Sequence, residues 1–533
     1  MSAVAVPHDV IADSRTAVHR VVVATAVGAV ALAVGFLAFG QGEARGLTVP
    51  VAVHAVLVLA ALQVSRMVDQ PLKVDGLTLF TAWEAARGCV APVIIQFVGN
   101  GSAFHYRLGT VEDSRFVLML GSGFFATAIA TRLVIGLVRR GDGAVRPVAS
   151  LRPSRLPTWA LVVAGSLGLL IRFPSPSAVA GFLSGSIEQL QGNDQIASNG
   201  VVLVGMLLRP LLFIGLVLLI RERRTAGRAW VWLLVPLGVA VVFGLASYGL
   251  NRATVAYALF AMAFVFLDRS PRRLRVLPMV VAVGALGTFF VGVGTLRATL
   301  WVSRTGLDAP TIGLVPALQS VIPYFGTPMQ LAAALPWVRA SNPFGPGSFG
   351  LSLLSPVPGA PDVARTESST ALYNHVVYHS YIGKDQLLPT WFEGYLCFGV
   401  LGVVMAGVVA ALLLAASDVL RRRSSTVLSS YGSSLLVLWC AQAGVTSFGV
   451  IEQNLIYFIL LPMVLGLLGQ PRGTAPSNPS ERNHREDPHA LRHLRADARV
   501  PRHPHGRDPG QSARRRAGGG RHRRDDRAAP LPR

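Results

Sequence analysis

The sequence predicts an all-α, polytopic integral membrane protein of about twelve transmembrane helices, with one large outer-face loop and a disordered basic tail. Three observations predict it. Mean hydropathy is +0.49 and 14% of the 533 residues are charged, where a soluble domain carries about a quarter. Apolar runs of roughly 18–25 residues recur along the chain, each long enough to cross a bilayer as a helix. The basic residues between those runs alternate between dense and sparse links.

Taken in order, the predicted spans fall at 21–40, 47–65, 78–98, 115–137, 157–173, 199–220, 230–249, 252–267, 276–296, 393–417, 430–448 and 454–469. Residues 1–20 are polar and precede an apolar run long enough to span, so the first helix is expected to be retained and not cleaved as a signal peptide. With the N-terminus inside, the inner links carry Arg15, Arg20, Arg66, Lys73, Arg139, Arg140, Arg152, Arg155, Arg221, Arg269 and Arg421–Arg423. The short outer links hold only Arg45, Arg107, Arg115 and Arg252. This pattern follows the positive-inside rule and puts both termini in the cytoplasm of a cell-membrane protein. It also puts residues 297–388 outside as one large extracytoplasmic loop, between spans 1–9 (21–296) and spans 10–12 (389–469). A loop of that length between short connections is where function is expected.

The tail, 470–533, holds sixteen Arg against seven Asp or Glu and has too few apolar residues to build a core. It is expected to be disordered, with loose attraction to anionic lipid. Its six histidines show no ligand spacing. The net charge of +22 therefore sits in the tail and at helix ends, which excludes a folded nucleic-acid-binding patch. Cys89, Cys397 and Cys440 lie apart in apolar runs and read as small buried hydrophobes; neither metal nor redox spacing is present.

Ionisable groups inside spans are costly, about 2.5–3.5 kcal/mol each at a helix centre, and need a reason. His54 reads as a satisfied core histidine. Glu84 and Arg87 stand three apart and are expected to neutralise each other. Arg209, ahead of Pro210 in an apolar helix, is the candidate for an arginine lining a polar cavity or making an interhelical contact. At the outer edge stand Arg252, Arg297 and Arg304, the last two seven apart with Trp301 between them. Guanidinium groups there suit phosphate or pyrophosphate, or interfacial anchoring. The loop adds Arg365, Asn374, His375, His379 and, at the next span, Glu393. His375 and His379 are one helical turn apart and suit general-base work, since imidazole titrates near neutrality. The stretch 310–336 is apolar but broken by prolines, so short helices lying on the membrane or partly re-entrant are expected, forming a lid. SNPFGPGSFGLSLLSPVPGAP reads as irregular, turn-rich chain.

These residues resemble those of the bacterial oligosaccharide repeat-unit polymerases, the O-antigen (Wzy-type) polymerase family. The resemblance rests on Asn251-Arg252 opening a span, on Arg297, on GPGSFGLSLLSPVPG, and most of all on LPTWFEGYLCFGVLGVV, covering about 248–414. It implies an inverting glycosyl transfer at the outer face between undecaprenyl-pyrophosphate-linked oligosaccharides, with no cofactor or metal. It further implies Arg252, Arg297 and Arg304 on the pyrophosphate, with Glu393 at the family's acidic position. Other polysaccharide-assembly proteins and membrane lipid are the expected partners. The related O-antigen ligases share the large loop and a histidine–asparagine element, here reversed as Asn374-His375. A lipid-linked oligosaccharide flippase is the non-enzymatic alternative, since it would use the mid-span charges.

Overall fold

The computed structural model describes residues 46–68, 72–98, 109–141, 148–152, 154–172, 200–224, 252–269, 327–340, 342–378 and 388–470, with isolated positions 31 and 35. Every regular element among them is helical. Among the described residues four helices are long and apolar enough to cross a membrane: Thr48–Met67, Val111–Val138, Thr390–Arg423 and Phe448–Leu468. The predicted spans 21–40, 230–249 and 276–296 and the tail lie outside the described residues.

The first described helix, α1 (Thr48–Met67), is followed by α2 (Gly76–Ala85), whose start is fixed by Asp75 accepting the Thr78 amide at 2.7 Å, a side-chain N-cap. The predicted span 78–98 is not one regular helix. A π-helical turn, Ala86–Val90, separates α2 from α3 (Ala91–Val98). Then come α4 (Val111–Gly141), α5 (Thr158–Arg172), α6 (Gly200–Arg224) and α7 (Arg252–Leu267). At 15 and 16 residues, α5 and α7 are shorter than a full crossing needs.

Among the described residues of the large loop stand five short helices: α8 (Thr327–Ala332), α9 (Leu335–Ala340), α10 (Pro346–Leu354), α11 (Asp362–Thr366) and α12 (Ser369–Tyr378). α10 corrects the expectation of irregular chain in this stretch. Pro346 opens it, where a missing N–H costs nothing, and the Ser348 hydroxyl accepts the Gly345 amide at 3.1 Å.

After the loop, α13 (Thr390–Arg423) spans 34 residues, yet it is two helices. Gly399 has φ 64° and ψ −150°, a conformation open essentially to glycine alone. A Cβ placed on Gly402 would stand 2.0 Å from the Gly394 carbonyl oxygen. The pieces 390–398 and 400–423 therefore fold against one another. A straight helix of that length would reach about 51 Å, well past a hydrocarbon core of about 30 Å. The predicted span 430–448 is also corrected: α14 (Val427–Cys440) stops at Cys440, and buried turns fill the stretch to Ser447. Then α15 (Phe448–Asn454), a π-helical turn at Leu455–Ile459 and α16 (Leu460–Leu468) complete the last crossing.

One end of this bundle is tied by charge. Arg421 grips Asp268 through two bonds of 2.7 and 2.8 Å, donates to the Val74 carbonyl at 2.8 Å and lies over the Phe264 ring. Asp418 accepts from Arg132 at 2.7 Å and from the Gly76 amide at 2.9 Å. Arg269 donates to the Ala149 and Ser424 carbonyls and to the Ser430 hydroxyl. Burial holds the Lys73 ammonium below its usual range, partly offset by the charge of Asp268. Lys73, Arg269 and Arg421, on links that the sequence expects on the inner side, meet at this single end.

Candidate functional site

The opposite end gathers the loop helices around the first turn of α13. Glu393, fully buried, accepts a hydrogen bond from Ser369 at the start of α12. The Ser352 hydroxyl of α10 and the Phe448 amide of α15 lie within reach of the same carboxyl group. Three elements thus converge on this side chain of α13, all through neutral donors. One turn on, Cys397 faces the Ser348 hydroxyl at 3.7 Å, and Asn342 donates to the Leu396 carbonyl at 3.2 Å. The loop is therefore packed onto the protein at 342–369, not suspended from its ends.

The N-terminus of α13 is held just as firmly on its other side. Thr390 donates its amide to the Thr446 carbonyl at 3.0 Å and its hydroxyl to the Ala443 carbonyl at 2.7 Å. The Trp391 indole donates to the Gly444 carbonyl at 3.1 Å. The Arg87 guanidinium lies 4.8 Å above the Trp391 ring while it donates to Glu84. His54 completes this cluster, with Nε2 donating to the Glu84 carbonyl and Nδ1 3.1 Å from Ser122 Oγ. The Glu84–Arg87 pair expected from spacing is formed and dry, and His54 is the satisfied core histidine expected from sequence.

The remaining sequence-derived candidates divide. His375 is half-buried on α12, the helix that begins at Ser369, with buried Asn374 beside it. Arg365, on α11, is partly exposed, stands 3.9 Å from Asp362, and its charge reaches Tyr457, whose hydroxyl donates to the Pro356 carbonyl. Glu393, Arg365 and His375 therefore belong to one packed assembly of α10 to α13. Arg209 does not; it is buried on α6, against which α5 packs. Arg252 opens α7 as expected. Arg297, Arg304 and His379 lie outside the described residues. No group of three or more His, Cys, Asp or Glu side chains gathers as a metal site among the described residues.

Sequence reasoning missed Ser352 and Ser369, the hydroxyls that hold Glu393. Serine is common in loops and gives no signal by itself. The usable signal was the helix start at Pro346, with Ser348 at its capping position, which would have put Phe349 and Ser352 on neighbouring positions of one face.

No protein family, no characterised protein and no solved structure matches this chain.

Proposed function

We propose that this chain is a membrane polymerase that joins undecaprenyl-pyrophosphate-linked oligosaccharide units at the outer face of the cell membrane. The observation that carries the reading is the anchoring of α10 and α12 on Glu393, which fixes the large loop to the start of a membrane helix. A transfer between two lipid-linked substrates needs such a fixed platform at the membrane edge, because proximity and orientation supply much of the rate.

In this reading the acceptor hydroxyl attacks the anomeric carbon of the donor glycan and inverts it. The pyrophosphate leaves as an anion. Arg252, Arg297 and Arg304, with Arg365, stabilise the charge that develops on it. His375 or His379 takes the acceptor proton. Glu393 is too deeply buried to touch a sugar, so its part is to position α12 and with it His375. The full layout of twelve spans with cytoplasmic termini belongs to this proposal too. It is supported by the meeting of the basic links at one end of the bundle and of the Glu393 assembly at the other.

A flippase reading draws on the mid-span charges Arg87 and Arg209. Arg87 makes an ion pair with Glu84 within the protein, which is the arrangement of a structural pair and takes that residue from the flippase reading. A ligase-like transfer would use the same outer-face groups on a different acceptor.

The test is Arg297→Ala, read as a glycan ladder together with the sidedness of the lipid-linked unit at matched protein levels. A polymerase loses long chains while single units still reach the outer face. Arg297→Lys falls well short of wild type, because a point charge does not replace a planar fork. Units trapped on the cytoplasmic side would identify a flippase and overturn the proposal.

A further inference from the structure

The surface around α10 continues the lipid-facing stripe of α13. Along the second piece of α13 the exposed residues are apolar and recur at helical spacing: Val400, Leu401, Val404, Met405 and Leu412, with Leu401 65% exposed. In a membrane helix such a stripe faces acyl chains. At the Gly399 bend it does not end. Phe398, exposed on the other side of the bend, meets Phe349 of α10 edge-on at 5.3 Å between ring centroids. From Phe349 the apolar surface runs to Leu354, 50% exposed at the end of α10, and to Val363.

The sequence of this segment has the composition that lipid requires. From 340 to 361 there is no Asp, Glu, Lys, Arg or His. The flanking residues are charged and wet: Arg339 has a side chain 61% exposed and Asp362 one 97% exposed. Inside the segment, backbone polarity is largely satisfied locally. The amides of Phe349, Ser355, Val357 and Ala360 donate to Gly345, Leu351, Leu354 and Val357 in turn. Positions 343, 346, 356, 358 and 361 are proline and have no N–H to satisfy. Irregular chain is tolerated at membrane depth only where its backbone groups are met in this way.

We propose that residues 342–361 form a re-entrant segment seated in the lipid of the outer leaflet against the Gly399 bend, with Arg339 and Asp362 at the headgroups. Its partner is the acyl-chain region of the bilayer. The segment would thereby set the depth of Glu393 and of α12 relative to the membrane surface. The inference rests on the membrane reading but not on the polymerase reading.

The experiment uses the full chain in liposomes, with single cysteines at Leu354→Cys, Val363→Cys, Leu401→Cys and Asp362→Cys, each carrying a nitroxide. The native cysteines, all buried, are first checked for lack of labelling. Collision rates with oxygen, which concentrates in lipid, are compared with those of a water-soluble nickel complex. Labels at Leu354 and Val363 should favour oxygen as Leu401 does, and Asp362 should show the opposite preference. A Leu354 label that behaves like Asp362 overturns the proposal. Shielding at Leu354 from both reagents overturns it as well, in favour of a protein neighbour such as a second copy. Should Leu401 itself favour the nickel complex, the membrane reading fails and takes this inference with it.

Discussion

The two ends of the bundle hold their buried acids in opposite ways. At the basic end Asp268 and Asp418 are each met by an arginine, and Arg421 also bonds the Val74 carbonyl and lies over the Phe264 ring. At the other end Glu393 is met by two serine hydroxyls and an amide, with no ion pair to it among the described residues. An ion pair held on both sides, as Arg421–Asp268 is, locks helices together and leaves no charge for a ligand. A carboxylate held by neutral donors fixes its surroundings while leaving nearby arginines such as Arg365 partly open to solvent. The first end is built as a clamp and the second as a platform.

Breaking the clamp should have the largest effect. Arg421→Ala leaves Asp268 buried without its cation, a change that typically costs about 3–5 kcal/mol. The measurement is thermal unfolding in detergent, and a midpoint unchanged from wild type would remove Arg421 from the lock. Gly399→Ala should cost less, on the order of 1–3 kcal/mol, because alanine must be forced into a glycine conformation. Its signature should be local: faster proteolysis within 342–378 than at the basic end. Equal loosening at both ends would show that the bend does not hold the platform specifically.

The smallest effect is expected at Glu393 itself. Glu393→Gln keeps an acceptor oxygen for Ser369, so stability should change by about 1 kcal/mol or less, and the glycan ladder should largely persist. Glu393→Ala removes the acceptor and should lose the ladder. Equal loss in both variants would mean that the charge, not the positioning, is what the reaction uses. Asp268→Asn at the other end is the control: there the arginine loses its counter-charge, so the conservative change should be costly.

Local pattern carried far in this chain. The apolar runs named α1 and α4 nearly to their ends, because a helix in lipid must satisfy its own backbone and stay apolar for a fixed length. The i, i+3 spacing of Glu84 and Arg87 was enough to pair them, since neighbours on a helix face meet whatever surrounds them. His54 was also legible, a polar ring in an apolar run that needed two partners and found them.

What sequence left open depended on distant contacts. Hydropathy merges Phe398 and Val400 into one run because glycine scores as neutral, yet Gly399 turns the chain and Gly402 folds it against Gly394. The turns after Cys440 were hidden in the same way, inside a run that never becomes polar. Ser352 and Ser369 became partners of Glu393 only because α10 and α12 dock on the first turn of α13, 24 residues or more along the chain. The sequence by itself determined helical class and the apolar runs that become α1 and α4, since composition and period act locally. Tertiary structure alone decided the bend, the docked loop and the neutral grip on Glu393, because these are contacts between residues whose separation along the chain carries no signal.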